Sequence, residues 1–165
     1  MIAVIQRVQN AHVEIEKQIH TSINNGLLIL LGVTHTDTDE DVAWLSSKIC
    51  NLRIFSDEAG KMNLSILETK GDVLVVSQFT LFASTQKGNR PSFLEAAKPE
   101  QAIPLYEGFK QSCSKLVEKE IASGVFGADM QVHLTNDGPV TIIIDTKKNS
   151  KDGFKGITIR CRSMD

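Results

Sequence analysis

The chain has 165 residues, with 18 basic and 20 acidic side chains and a formal net charge of −2. This length is typical of one domain, and a hydrophobic fraction of 41% with 23% charged residues excludes a disordered or collagen-like chain. Because the chain is nearly neutral, its overall field does not attract nucleic acid, and any site for a polyanion must be local.

The cysteines and the apolar runs indicate the compartment. Cys50, Cys113 and Cys161 stand far apart in the sequence and form no CxxC pair, which argues against a disulfide framework and a thiolate zinc site. The N-terminus lacks the basic region of a signal peptide, and the longest apolar stretch, residues 27–31, is far shorter than the about 20 residues of a membrane span. We therefore expect a cytoplasmic protein with no membrane segment.

The first half of the chain predicts strands followed by a helix. Apolar residues at 2–5 predict an interior strand, and Val13 and Ile15, which alternate with glutamates, predict a second, half-solvated strand. A turn at 24–26 precedes the run LLILLGV, which predicts a buried strand. The polar run THTDTDED then offers N-caps for a helix whose apolar residues have helical spacing: Val42, Leu45, Ile49 and Leu52.

In the second half, residues 53–55 predict a short strand before a turn at 57–60, and VLVVSQFTLFA, from residue 73, predicts the longest strand. The run STQKGNRPSF predicts a loop. Pro99 predicts the start of a helix that ends near Gly124, and Pro104 should delay or kink its regular part. The runs MQVHLT and VTIIID, joined by the turn NDGP, predict a hairpin-like pair. The elements together predict a mixed sheet with helices on one side.

No metal or cofactor site is predicted. The four histidines, His12, His20, His35 and His133, show neither an HxxxH motif nor a carboxylate at ligand spacing. His133 alternates with Val132 and Leu134, which predicts a solvent-facing strand position. The glycines form neither a GxGxxG motif nor a Walker loop, so no nucleotide cofactor is expected.

Polar residues interrupt the apolar run at 73–83. Ser77, Gln78 and Thr80 bring two hydroxyls and an amide into this run, and a buried polar group costs about 1–3 kcal/mol when it is unpaired. These residues are either satisfied strand residues or part of a site. No His, Asp or Lys stands nearby in sequence to activate a hydroxyl. The turn at 136–139 is likewise, by residue type alone, an ordinary turn.

Several motifs occur in one order along the chain: AVIQRV, LLGV, FSDEAGKMN, VSQFTLFA at 76–83, GNRPSF at 88–93 and FGADMQVHLTNDGPVT at 126–141. In this order they resemble the D-aminoacyl-tRNA deacylase family over residues 1–145. The resemblance implies the fold class α/β: a single-domain β/β/α layered fold with mixed, barrel-like sheets and two main helices. It also implies a deacylase domain at 1–145 and a basic C-terminal extension at 146–165.

Members of that family are cytosolic homodimers that hydrolyse the ester between a D-amino acid and the 3′ end of tRNA, without a metal. The resemblance implies the same reaction for this chain, with no cofactor and the active site at the dimer interface. Two other functions stay open: a non-catalytic RNA-binding or assembly module, and an enzyme that hydrolyses a small-molecule ester. Neither an aromatic-basic RNA platform nor a Ser-His-Asp set is visible in the sequence.

The resemblance also implies roles for residues in the two signature motifs. Residues 77–80, which are Ser77, Gln78, Phe79 and Thr80, match the family's SQFT pocket, where main-chain N–H groups are similar in role to an oxyanion hole. Gly138 and Pro139 match the family's cis Gly-Pro motif. That motif reaches into the partner subunit's pocket, and we expect it to reject L-amino acids by steric exclusion.

Three further residues match family positions. Arg7 matches the arginine that helps to hold the Gly-Pro motif. Phe126 and Met130 match positions near the terminal adenosine, with ordinary core packing as the alternative.

The chemistry is expected not to need a side-chain nucleophile, because serine and threonine are weak nucleophiles without a general base. We expect the 2′-hydroxyl of the terminal ribose, next to the ester, to help activate the attacking water. The backbone N–H groups of Gln78 and Phe79 would then stabilise the oxyanion.

Residues 146–165 carry six basic and two acidic side chains, a charge of +4, which leaves −6 for residues 1–145. This extension is either a tether that contacts tRNA phosphates, and so adds to the salt dependence of binding, or a solvated tail with an edge strand at 156–161.

Overall fold

A long first strand organises the sheet in residues 1–148, the part of the chain that the structure, a computed structural model, describes. The N-terminal half of β1 (Ile2–Ile15) pairs antiparallel with β3 (Gly26–Gly32), and its C-terminal half pairs with β2 (Gln18–Ile23). Along its other edge, β8 (Gln131–Asp145) runs antiparallel over nearly the whole length. Thus β1 joins all three strands into one sheet.

Two sequence predictions about these long strands were wrong. The segments predicted as separate strands at 2–5 and 13–15 belong to the single strand β1, and NDGP is not a hairpin turn but lies inside β8. Both halves of β8 pair with β1, and the register between the two strands shifts near Val8. Such irregularities bend a ribbon without ending it, so polar and turn-forming residues here mark a bend.

The rest of the sheet is parallel. β6 (Asp72–Ser77) lies beside β3, and β7 (Ala122–Ser123) lies beside β6, so that the strand order is β2-β1-β3-β6-β7, with β8 as a further partner of β1 outside this order. A two-stranded hairpin of β4 (Phe55–Ser56) and β5 (Met62–Leu64) is separate. The result is a mixed, nearly closed, barrel-like sheet, which confirms the predicted fold class.

Two main helices pack against one another and against this sheet. α1 (Asp39–Cys50) begins at a capping box formed by Thr38 and Asp41, and its acidic first turn suits the positive end of the helix dipole. α2 (Ile66–Thr69) is a single turn. α3 spans Pro99–Val117. Within residues 1–148, no helix is long and apolar enough to cross a membrane.

The start of α3 was predicted correctly, whereas a delayed start caused by Pro104 and an end near Gly124 were wrong. The helix begins at Pro99 without delay although Pro104 removes one backbone donor, because Ala102, Leu105 and Tyr106 are buried and hold the first turns against the core. It ends at Val117, well before Gly124. The next residue, Glu118, adopts a left-handed conformation with φ 57°.

The apolar side chains form two cores, and β1 contributes to both. Ala3 and Ile5 lie in the larger core between the sheet and the helices, whereas Val8, Ala11 and Val13 lie in a smaller core inside the barrel-like sheet. The strand passes from one core to the other where its register with β8 shifts.

The two ends of the described chain meet beside α1. The ammonium of Met1 donates to Asp37 Oδ1 and to Thr146 Oγ1, each at 2.6 Å, and Lys147 Nζ lies 2.8 Å from Asp41 Oδ2. Burial raises the pKa of Asp41, but hydrogen bonds from Lys147 and Thr146 outweigh it and lower the pKa to about 2. Thr146 and Lys147, assigned to the extension from the sequence, therefore pack on the domain. Residues 149–165, with the strand predicted at 156–161, lie outside the described residues.

Gly26 provides a test of the β3–β6 packing. A Cβ at Gly26 would lie 1.9 Å from the carbonyl oxygen of Asp72, its register partner on β6. We expect Gly26→Ala to lower the free energy of unfolding by about 3 kcal/mol or more, because backbone cannot move aside as a side chain can. Urea unfolding followed by circular dichroism measures the change.

Gly108→Ala is the matched control, because a Cβ at this position in α3 meets only Val42 Cγ1 at 3.8 Å. This change should stabilise the protein by about 0.4–1 kcal/mol, through the unfolded state and helix propensity. Equal effects of the two substitutions would contradict the packing described for Gly26.

Candidate functional site

The chain turns sharply at the end of β6. Ser77 is the last residue of the strand, and Phe79–Phe82 form a short 3-10 helix. The prediction that one strand continues to residue 83 was therefore wrong. At the turn, the backbone N–H of Gln78 donates to the carbonyl oxygen of Leu31 at 2.8 Å, which fixes the turn to β3.

A pocket of about 260 Å³ opens beside this turn. Its walls are residues 76–79, the loop at 127–130 and Val132 of β8. A smaller apolar pocket of about 70 Å³ shares residues 77–79 and is lined by Tyr106 and Phe126. Five of the residues selected from the sequence thus come together here: Ser77, Gln78, Phe79, Phe126 and Met130.

The backbone donors at the turn differ in their availability. Because the N–H of Gln78 is bonded to Leu31, its predicted role as an oxyanion donor is wrong for this conformation. The N–H groups of Phe79 and Thr80, which open the 3-10 helix, have no acceptor among residues 1–148. The two donors that remain for a ligand are therefore those of Phe79 and Thr80.

Few polar side chains reach the two pockets. Within residues 1–148, Asp129 is the only carboxylate that lines them, and no histidine, lysine or cysteine of this part lines either pocket. The hydroxyl of Thr80 accepts a hydrogen bond from the Gln78 side-chain amide at 2.5 Å, and no described hydrogen bond links Asp129 to either hydroxyl of the SQFT segment. The described residues therefore give the pocket no nucleophile paired with a general base.

Tyr106 of α3 supports the pocket from the core side. Its hydroxyl donates to the carbonyl oxygen of Val75 at 2.9 Å, two residues before Ser77, and its ring packs edge-to-face against Phe126 at 5.8 Å between centroids. Burial raises the pKa of Tyr106, so the hydroxyl stays a neutral donor. The end of β6 is thereby tied to the most buried part of α3.

An exposed apolar surface borders the same turn. The rings of Phe79 and Phe93 meet edge-to-face at 5.1 Å between centroids, and Leu94 is 83% exposed. Contiguous exposed apolar side chains of this kind are typical of a binding surface.

The Gly-Pro motif lies at a different place, where Arg7 is buried. Arg7 Nη1 donates to the carbonyl oxygen of Ile54 at 2.6 Å, and Nε approaches Asp137 at its carbonyl oxygen, 3.2 Å, and its carboxylate, 2.9 Å. The next peptide, Gly138-Pro139, is cis, as the resemblance implied. Gly138 has φ 122°, and a Cβ there would lie 3.0 Å from Arg7 Nη2.

Gly138 and Pro139 are exposed and do not line the pockets at Ser77 of their own chain. Six residue steps along β8 separate Val132, in the pocket wall, from Gly138, a span of at most about 20 Å at about 3.4 Å per residue. A third pocket, of about 470 Å³, is lined by Arg7 and Asp137 instead. One chain therefore holds the two groups of predicted site residues apart.

A family model described as D-Tyr-tRNA(Tyr) deacylase matches residues 4–145. The chain belongs to this deacylase family. A relative from Cytophaga hutchinsonii, named D-aminoacyl-tRNA deacylase, is 69% identical over 147 residues, which cover 89% of this chain and 98% of the relative. A relative of the same name from Bacteroides thetaiotaomicron is 59% identical with the same coverage.

Two solved structures have the deacylase-family fold seen here. The c-Myc DNA unwinding element binding protein is similar with a TM-score of 0.82 and 42% identity, over 88% of this chain and 98% of that one. A probable eukaryotic D-amino acid tRNA deacylase has a TM-score of 0.77 over 87% and 97% of the two chains, and at 15% identity it supports the fold alone.

The sequence did not point to several residues that line or support this pocket. Gly127 and Asp129 line it, and both belong to the quoted motif FGADM, from which only Phe126 and Met130 were selected. Tyr106 had no signal, because a single tyrosine on a helix face looks like core. The prediction that the histidines have no carboxylate at ligand spacing was also wrong: Glu14 lies beside His12 and His133, on another part of the sheet.

Arg7 provides a test of how the Gly-Pro segment is held. We expect Arg7→Lys to lower the free energy of unfolding by about 2–3 kcal/mol, because one ammonium cannot reach the acceptors on both segments that the planar fork joins. Urea unfolding measures the change.

Arg53→Lys is the control, since Arg53 is exposed and binds only Asn63, in the adjacent hairpin. It should cost about 0.5 kcal/mol or less. If Arg7→Lys lowered the free energy of unfolding no more than this control does, Arg7 would not be the residue that holds residues 54 and 137 in place.

Proposed function

We propose that this member of the deacylase family hydrolyses the ester between a D-amino acid and the 3′ end of tRNA, with no metal or other cofactor in the reaction. The observation that carries the proposal is the pair of backbone N–H groups at Phe79 and Thr80, which have no acceptor in residues 1–148, beside a pocket to which those residues bring no nucleophile–base pair. The names of the relatives at 69% and 59% identity agree with it. A backbone oxyanion site of this kind suits acyl transfer to water.

In this mechanism, a water oxygen adds to the ester carbonyl, and the carbonyl oxygen becomes an oxyanion held by the N–H groups of Phe79 and Thr80. The neighbouring 2′-hydroxyl of the ribose assists the proton transfer from water. The bond from the carbonyl carbon to the 3′-oxygen then breaks, and the 3′-oxygen takes up a proton. The products are the free D-amino acid and tRNA with both ribose hydroxyls restored.

The remaining pocket residues have binding roles in this proposal. Met130 borders the pocket and offers a thioether to the terminal adenosine. Phe126 also packs against the larger core, so its ring shapes the smaller apolar pocket and contributes to the fold. Cys50 and Cys113 are buried free thiols, which agrees with a reaction in a reducing cytoplasm, where aminoacyl-tRNA is made.

The backbone mechanism predicts that Thr80→Ala keeps activity within about tenfold of the parent, because the hydroxyl has no base to activate it. Phe79→Pro, which removes the N–H, should lose about 100- to 1,000-fold in kcat, the cost of one oxyanion donor. Phe79→Ala is its control, since it removes the same ring and keeps the N–H. Single-turnover deacylation of D-aminoacyl-tRNA measures all three.

A loss of about a thousandfold or more in a folded Thr80→Ala protein is the scale of a missing nucleophile, and it would overturn this mechanism. So would equal losses in the two Phe79 variants. In the same assay, a terminal ribose without the 2′-hydroxyl should not be deacylated.

The pocket is complete only in a homodimer, in this proposal. Up to about 20 Å of β8 separates the Gly138–Pro139 segment from Val132 in the pocket of its own chain, and neither residue lines that pocket, so we infer that this segment acts in another copy. A two-fold dimer gives each pocket the partner subunit's Gly138 and Pro139. A backbone wedge buttressed by Arg7 cannot rotate away, so it excludes an L side chain whatever its chemistry.

Matched D- and L-aminoacyl-tRNA test the function and this filter together. The parent should hydrolyse the D-form and spare the L-form, and it should elute as a dimer in size exclusion with light scattering. The Gly138→Ala, Pro139→Ala double variant should lose discrimination between the two forms, because its wedge is displaced. A folded, dimeric double variant as selective as the parent would exclude the filter.

The same substrates separate the two rival functions. An RNA-binding module would retain tRNA without releasing the amino acid from either form. A small-molecule esterase would hydrolyse a D-amino acid ethyl ester as fast as the tRNA ester. As far as residues 1–148 line the pockets, they supply neither a Ser-His-Asp set nor basic side chains, which disfavours both rivals.

A further inference from the structure

Three side chains with metal-binding atoms converge on the outer face of the ribbon formed by β1 and β8. His12 and Glu14 stand two residues apart on β1 and so share a face, and His133 is the register partner of His12 on β8. Glu14 Oε1 lies 3.3 Å from His12 Nε2 and 3.6 Å from His133 Nε2. One donor atom of each residue lies within 4.8 Å of the other two.

We propose that His12, Glu14 and His133 bind one divalent cation of the zinc class. Tetrahedral zinc with bonds of about 2.0–2.2 Å needs donor atoms about 3.3–3.5 Å apart. The two distances to the carboxylate are already close to this, and a rotation of the partly exposed rings brings the two nitrogens together. Two imidazoles and a carboxylate suit Zn²⁺, Ni²⁺ or Cu²⁺ better than Mg²⁺ or Ca²⁺, which prefer oxygen ligands.

The backbone under this cluster is rigid. Ala11 and Val13, which flank His12 on β1, are buried in the smaller core, and Val132 and Leu134 of β8 pack against the same core. The three Cα positions are therefore fixed before any ion arrives. This preorganisation reduces the entropy cost of assembling the ligands.

The side chains are accessible from solvent. Those of His12 and Glu14 are about 30% exposed and that of His133 is 50% exposed, so an ion can enter and water can take a fourth coordination position. Among residues 1–148, neither histidine has any hydrogen-bond partner other than Glu14. A bound metal would therefore break no described hydrogen bond of the two rings except those to Glu14.

The two imidazole rings lie face to face on the ribbon. They stack with centroids 4.4 Å apart and an angle of 7° between their planes. The Nε2 atoms of both rings lie near the same oxygen of Glu14, so the three donor groups share one side of the ring stack.

This cluster is separate from the deacylase pocket, and the inference does not rest on the proposed function. Val132 lines the pocket, and its neighbour His133 points to the opposite face of β8. The ion would join β1 to β8 between Met130 and Gly138. Its expected effect is therefore on the stability of the folded state, which rises with ion concentration by mass action.

Calorimetric titration of the full chain with ZnCl₂ tests the site. A Cys161→Ser background, in buffer without thiols or chelators, removes a competing thiolate. We expect saturable binding of one ion per chain and a rise in Tm that EDTA reverses. His133→Gln and Glu14→Gln should each lower the affinity for zinc at least about 100-fold. This exceeds the usual effect of replacing a residue that only hydrogen-bonds to a metal ligand.

His20→Gln is the matched control, because His20 is exposed on β2 and does not belong to the cluster. It should bind zinc as the parent does. The two ligand variants replace partly exposed side chains, so their Tm without zinc should stay close to that of the parent, and their far-UV spectra check the fold. Addition of zinc should also shift the ring proton resonances of His12 and His133 and leave those of His20 in place.

The proposal fails if no saturable binding is found below about 1 mM zinc, an affinity too weak to matter. It fails equally if the affinity survives both His133→Gln and Glu14→Gln, or if only His20→Gln removes it.

Discussion

A buried guanidinium needs acceptors for its donors, and Arg7 finds them on two segments that are distant in the chain. It binds the carbonyl oxygen of Ile54, just before the small hairpin. It also binds the carbonyl oxygen and the carboxylate of Asp137, just before the Gly-Pro peptide. The register between β1 and β8 shifts on both sides of Val8, next to this arginine. One side chain thus joins the bend of the long ribbon to the hairpin and fixes the path of residues 137–139.

The position of that anchor explains why the two signature motifs lie apart. SQFT is held by Leu31 and Tyr106 at the end of the parallel strands, where open sheets commonly bind ligands. The Gly-Pro peptide is held by Arg7 at the other end of the β8 segment. In the proposed dimer, this separation lets the Gly-Pro segment of one copy reach the pocket of the other.

Part of this structure could be predicted from single residues and periodicity. The run LLILLGV is apolar on both faces and forms the central strand β3, and the polar run before Val42 caps α1. Pro99 marks the start of α3. In contrast, β2 has little signal, because Ile23 is its only fully buried residue and Ile19 is 65% exposed.

The features that could not be predicted depend on contacts between distant residues. The Gln78 N–H is engaged because β3 presents Leu31 to it, and no local pattern encodes that bond. His12 and Glu14 have the spacing of strand neighbours, but the third potential ligand, His133, comes from the opposite end of the chain through the register of β8. The candidate site residues were selected by their resemblance to the family's motifs. The sequence pattern alone could not distinguish them from residues of the hydrophobic core.

The pairing of β1 with β8 also has a consequence for synthesis on the ribosome. Of the strands in residues 1–148, β1 leaves the ribosome first, and along most of one edge it pairs with the last of them, β8. At about 5–20 residues per second, β1 waits roughly ten seconds for that partner, while its neighbours β2 and β3 are already available. The small core inside the sheet needs Val132 and Leu134 and closes only when β8 is released. Folding of this protein therefore ends after translation of the domain, with a long-range step of high contact order, and the half-formed sheet exposes an apolar edge until then.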